Sequence, residues 1–132
     1  MGTRCITQVY KMEDGLAVMC MYRQCDGYKQ GHGLELAKFI TARTVINGIQ
    51  DQTARTHANG MDCLAAQIVV HFKKGDIGHI YLQPVVENPA YWQEYEYHVY
   101  PERVRVVRLG KELFNGTWGG FLVWCETPDY ED

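Results

Sequence analysis

The residues best placed to do chemistry lie in the run MYRQCDGYKQGHGLEL, positions 21 to 36. Asp26, Gly27, Tyr28, Gly31, His32, Gly33 and Glu35 crowd two carboxylates, a phenol, an imidazole and three glycines into ten positions at the start of an apolar, helix-like segment. Glycine tolerates backbone angles and close approaches that other residues resist. A loop of this composition is either a demanding structural corner or a small polar site. As a site it would take an anion: the amides of Gly31, His32 and Gly33 would sit at a helix N-terminus, with Lys29 adding charge. Asp26 opposes that reading, and neither a P-loop nor a dinucleotide fingerprint is present. The structural reading has Asp26 capping the turn, the glycines solving the backbone and Tyr28 packing on the core.

Other constellations are less specific. Cys25 beside the loop could form a thiol–imidazole pair with His32 or His57, oriented by Asp26 or Asp62, if the fold brought them within hydrogen-bond reach. His32 and Glu35, spaced i,i+3, would make a three-ligand cluster with Asp26, but no HExxH or paired CxxC exists and no metal is expected. Glu94, Glu96 and His98 share a strand face near Arg103 and Arg105, for which ion pairing across strands is the ordinary explanation. Nothing in the residues names a cofactor.

The elements that must hold these groups are those of one α+β domain spanning 1-132. A chain of 132 residues, 46% apolar and 22% charged, suits one domain with its own core and excludes a disordered one. Five cysteines without a CxxC pair and without a secretion signal read as free thiols, a Cys5 or Cys20 bond to Cys25 requiring suitable strand pairing. A net charge of −3 gives no support for nucleic-acid binding, and no apolar run is long enough for a membrane span. Residues 4 to 11 and 16 to 23 read as a hairpin around Asp14-Gly15. A first helix is predicted over 33 to 46, with an ambiguous end because Thr44, Val45 and Ile46 favour strands. The polar stretch 47 to 58, with His57, is expected to be an exposed, mobile loop.

Residues 60 to 73 carry the strongest helical period: Met61, Leu64, Ala65, Ile68, Val69 and Phe72 share one face. Asn59 would be its N-cap, and Lys73, Lys74 and Gly75 its finish. Strands are expected at 78 to 83, 93 to 100 and 103 to 109. The apolar tail 113 to 125 adds a turn and a last strand or short helix, and the final DYED should fray. This order predicts a mostly antiparallel sheet of five or six strands with two helices on one face, the two chain ends lying as neighbouring strands. Nine tyrosines and three tryptophans are many for this length. Trp92, Tyr95, Tyr97 and Trp118 are the candidate anchors for a protein partner, with burial in the core the competing role for each.

The start MGTR, positions 1 to 4, together with the segment MYRQCDGYKQGHG, resembles a group of small uncharacterised proteins of phage and prophage origin. Members share a Met-Gly-Thr-Arg start and an Asp-Gly-Tyr-Pro-x-Gly-x-Gly loop followed by a helix. Here Asp26 to Gly33 match that loop, with Lys29 where proline is common. The Tyr-rich strand and Gly116 to Trp118 are similar too. The group has no established activity. The resemblance implies a phage or prophage context and little chemistry. With the small size and the absence of a catalytic signature, the expectation is an accessory protein in the host cytoplasm that binds a host macromolecule, most simply a host protein. A small hydrolase or nucleotide-binding protein using the loop, and a structural phage component with a self-associating interface, are the alternatives.

Overall fold

The computed structural model describes residues 2–48 and 56–129. Its elements are β1 (Cys5–Val9), β2 (Met19–Arg23), a single π-turn (Lys29–Gly33), α1 (Leu34–Thr41), β3 (Thr44–Ile46), β4 (His57–Asn59), α2 (Gly60–Lys73), β5 (Ile80–Leu82), β6 (Tyr95–Val99), β7 (Val104–Arg108), β8 (Lys111–Gly116) and α3 (Trp118–Glu126). The main sheet has six strands in the order β5-β2-β1-β6-β7-β8. All neighbours are antiparallel except β1 and β6, which run parallel from Cys5 opposite Tyr95 to Val9 opposite Val99. The fold is the expected α+β class. The ends are arranged differently from expectation: β1 is central, and the last strand, β8, forms an edge.

Strand alternation sorts the residues of the sheet onto two faces. Cys5, Val9, Met21, Tyr97, Val99, Val104 and Val106 face a core shared with Leu36, Phe39 and Ile40 of α1, Leu64, Ile68 and Phe72 of α2, and Phe121 and Cys125 of α3. The apolar period read in 60 to 73 is therefore the buried face of α2. The other face is buried as well, through Ile6, Gln8, Tyr10, Cys20, His98, Tyr100 and Val107. Burial on both sides explains why neither strand of the first hairpin alternates cleanly.

Several local expectations change. The first helix stops at Thr41, and Thr44–Ile46 instead pairs in parallel with β4, as β-branched residues favour. His57 and Ala58 belong to that pair, Ala58 being buried, so this end of the expected loop is ordered; positions 49–55 lie outside the described residues. Asn59 does not cap α2; its Oδ1 accepts from the Gly48 amide at 2.7 Å, locking β4 to the end of β3. The tail supplies both a strand and a third helix. Leu109 and Gly110, at φ 49° and 82°, make the two-residue left-handed turn that returns β7 into β8. Thr117 then caps α3 by accepting from the Gly120 amide at 3.0 Å. Asp129, expected to fray, is tied down: its carboxylate accepts from Lys29 at 2.7 Å and from Gln30 at 3.2 Å.

Candidate functional site

The glycine loop is built by close approach. None of Gly27, Gly31 and Gly33 has positive φ; the left-handed residue is Asp26, at φ 63°. A Cβ on Gly27 would meet the Cys5 Cβ at 2.7 Å, and one on Gly31 the Asp26 carbonyl oxygen at 2.5 Å. One on Gly33 would meet the Tyr97 hydroxyl at 3.1 Å. The amides an anion would need are engaged inside the loop: Gly31 N–H and Gly33 N–H donate to the Tyr28 carbonyl, and His32 N–H donates to the Asp26 carbonyl at 2.8 Å. Lys29 brings no charge to the loop surface. Its ammonium is buried against the Trp124 ring, 4.7 Å from the centroid, and pairs with Asp129.

Beneath the loop, His32 is fully enclosed between Phe72 and Tyr97, with ring centroids 4.6 Å and 5.0 Å away. An Arg23 terminal nitrogen lies 3.3 Å from His32 Nδ1, and Thr7 Oγ1 lies 2.6 Å from Nε2. Arginine only donates, so Nδ1 accepts and the ring proton on Nε2 is given to Thr7. Burial, then the charges of Arg23 and His79, push the imidazole pKa far down, so the ring is neutral. Glu35 joins the same assembly from outside: its carboxylate meets Arg23 at 3.5 Å, His71 Nε2 at 3.0 Å and Lys74 at 3.7 Å. Asp26 and Tyr28 stand apart. Both are exposed, and the Tyr28 hydroxyl donates to Asp26 Oδ1 across 3.4 Å. The predicted loop residues thus divide into a buried set, His32 with Glu35 at its margin, and a surface set, Asp26 with Tyr28. Among the described residues no three His, Cys, Asp or Glu side chains are grouped to hold a metal ion.

Cys25 finds an imidazole that sequence spacing did not indicate. His79 Nδ1 lies 3.6 Å from its Sγ, brought there by the pairing of β2 with β5. Neither His32 nor His57 takes that place. No described residue donates to or accepts from the other ring nitrogen of His79, so the pair lacks the third, orienting group of a nucleophilic triad. On the opposite face of the sheet a second polar chain runs inward. Gln8 Nε2 donates to the Tyr10 hydroxyl at 3.1 Å, Tyr10 meets His98 Nδ1 at 2.8 Å, and His98 Nε2 meets Glu96 at 3.0 Å. The hydrogen bond from His98 holds the Glu96 carboxyl below its usual range, and burial pushes the Tyr10 hydroxyl well above its own. Tyr10 is therefore a held donor. The shared face of Glu96 and His98 was legible from strand alternation; the addition of Gln8 and Tyr10 required the β1–β6 pairing.

The four candidate anchor residues do not form one patch. Tyr97 is wholly buried and its hydroxyl donates to the Gly27 carbonyl at 2.8 Å, so it is a core residue and not an anchor. Trp118 is half-buried, with its indole N–H donating to the Tyr100 carbonyl at 2.9 Å. Tyr95 is half-buried beside Tyr97 and the Arg108 guanidinium. Trp92 alone projects, at 85% exposure. The segment that presents it is cross-braced: Tyr91 Oη donates to the Pro84 carbonyl at 2.6 Å, Tyr91 N–H to Gln93 Oε1 at 2.7 Å, and Gln93 Nε2 to the Pro89 carbonyl at 2.9 Å.

Two grooves flank α2. One, of about 540 Å³, lies against β2 and β5 and is lined by Val18, Ala66, Val69, Val70 and Leu82 among others. The other, of about 580 Å³, lies between α1 and α2 and is lined by Phe39, Arg43, Cys63, Ala66, Gln67, Val70 and His71. No helix among the described residues is long and apolar enough to cross a membrane. Comparison with protein-family models, curated proteins and solved structures found no match.

Proposed function

We propose that this protein is a phage or prophage accessory protein that acts by binding a host protein, with Trp92 as the anchor. The phage context is supported by the MGTR start and the Asp26 to Gly33 segment. The binding role is carried by one observation, the presentation of Trp92. A bulky residue at φ 66° is a backbone outlier, and such strain costs on the order of 1–3 kcal/mol. Here the strained residue also carries the most exposed aromatic ring among the described residues. The bracing of residues 84 to 93 holds the backbone that carries the indole before any partner arrives, which lowers the ordering cost of association. Tryptophan is the residue type most enriched at binding hot spots. The loop of Asp26 to Gly33 is read as scaffold, because its three amides already donate internally and His32 is sealed beneath it.

The test is affinity capture from bacterial lysate with the wild-type chain and with Trp92→Ala, followed by calorimetry with the recombinant protein that the first retains and the second does not. The expected loss on Trp92→Ala is about 2 kcal/mol or more, equivalent to roughly thirtyfold in Kd. Equal affinity of the two forms for every captured protein would refute the proposal.

A further inference from the structure

Arg43 follows α1, and its guanidinium lies over the Phe39 ring, 4.0 Å from the centroid. Among the described residues it makes no ion pair and no side-chain hydrogen bond, and its Nε is buried without a partner. A guanidinium cannot shed its charge, so partial burial leaves donors that want acceptors. Across the same groove Gln67 extends from α2. Its Nε2 donates to the His57 carbonyl at 3.0 Å. A backbone carbonyl only accepts, so this bond fixes which way the amide points and leaves Oε1 as a free acceptor. That oxygen is also buried without a partner.

Both residues line the 580 Å³ groove between α1 and α2, whose apolar lining includes Phe39, Ala66 and Val70. That volume lies within the range of small-molecule sites, which combine apolar lining with a few convergent polar groups. His71, at the margin, is already committed through Nε2 to Glu35 at 3.0 Å. The Glu35 charge is answered in turn by Arg23 at 3.5 Å and Lys74 at 3.7 Å, so it does not serve as a counter-ion to Arg43.

We propose that the groove between α1 and α2 binds a small organic oxyanion, a phosphate ester or a carboxylate, that also carries a hydroxyl group. The oxyanion takes the planar fork of Arg43, and the hydroxyl donates to Gln67 Oε1. An anion without a hydroxyl leaves Gln67 Oε1 unsatisfied, and a neutral alcohol, which could accept from Arg43 Nε–H as well as donate to Gln67 Oε1, supplies no counter-charge to the guanidinium. The site is independent of Trp92 and of any host protein.

Nitrogen-15 NMR of the labelled full chain provides the test, following the Arg43 Nε–H, the Gln67 side-chain amide and the Val70 backbone amide. The probes are glycerol 3-phosphate, glycerate and, as an oxyanion without a donor, sulfate. Saturable shifts at all three reporters with glycerol 3-phosphate or glycerate are expected, and the tighter of the two identifies the preferred oxyanion. Arg43→Gln should abolish binding, and Arg43→Lys, which keeps the charge but not the fork, should weaken it. Gln67→Leu should weaken the hydroxylated probe roughly five- to tenfold and leave sulfate unchanged. The proposal is overturned if neither hydroxylated probe gives a saturable shift, if Arg43→Gln binds as the wild type does, or if Gln67→Leu leaves both probe classes unaffected. The backbone spectrum of each variant away from the groove reports that it is folded.

Discussion

His32 gives its ring proton to Thr7 and accepts from Arg23 while wholly enclosed, and this makes its protonation a matter of stability. In the unfolded chain the ring takes up a proton as pH falls below its ordinary value of 6.5, whereas in the folded chain it stays neutral far below that. Unfolding therefore binds a proton in this window. The stabilisation is complete above pH 6.5 and is lost as pH falls, with a slope of up to about 1.4 kcal/mol per pH unit. The depressed carboxylates Glu96 and Asp129 act only lower, as pH drops through their ordinary values of 4.5 and 3.8. Urea unfolding at pH 7.5 and 5.5 should show a loss in the wild type that His32→Leu largely removes. An equal acid loss in both proteins would reassign the effect. The thiols divide by burial in the same way. Desolvation pushes Cys20 up to about 11 and Cys125 up to about 12, and raises Cys5 further. Cys25 and Cys63 are only half-buried. An alkylating reagent at neutral pH should label Cys25 and Cys63 in the native protein, and the other three only on unfolding, as read by mass spectrometry.

At the level of elements, the Lys29–Gly33 turn works as a hinge pin between β2 and α1. It holds α1 at the angle that lets α3 pack beside it, and Gly33 leaves room for Tyr97. Gly31 is its least forgiving position, because a Cβ there meets a backbone oxygen that cannot swing aside. Gly31→Ala should cost about 1–3 kcal/mol in denaturant unfolding. Gly119→Ala, in α3, has open space around its Cβ and should be neutral or slightly stabilising. A cost at Gly119 equal to that at Gly31 would argue against close packing as the reason for the loop glycines. The same turn explains Lys29. Its burial under Trp124 and its bond to Asp129 draw the residue just past α3 over the loop, which no local pattern in the tail announces.

Across the whole molecule, the sheet separates two kinds of surface. The helices and their two grooves lie on the side of Cys5, Val9 and Tyr97, while the braced segment carrying Trp92 connects through Gln93 to Glu96 on the other. Stability and binding should therefore separate at Trp92. Trp92→Gly relieves the left-handed backbone, and glycine adopts φ 66° without steric cost, so the melting temperature should hold or rise while partner affinity falls. A melting temperature lowered by several degrees would mean that the indole supports the fold.

The sequence by itself determined the α+β class, the apolar face of α2, its Lys-Gly finish and the existence of most strands. These follow from short-range periodicity and turn chemistry, which residues a few positions apart encode. It also exposed the glycine loop as a place of unusual demand. Only the tertiary structure decided what the demand was, because the close approaches of Gly27 to Cys5 and of Gly33 to Tyr97 are contacts between distant segments. The same holds for Tyr97, which shares a strand face with Tyr95 yet lies at the centre of the core, since alternation reports a side and not a depth. The parallel pairing of β1 with β6 joined Gln8 and Tyr10 to His98, and the folding of α2 beside α1 set Gln67 across a groove from Arg43. Such pairs, far apart in the chain, meet only after long loops close, and no local preference records which partners will be met.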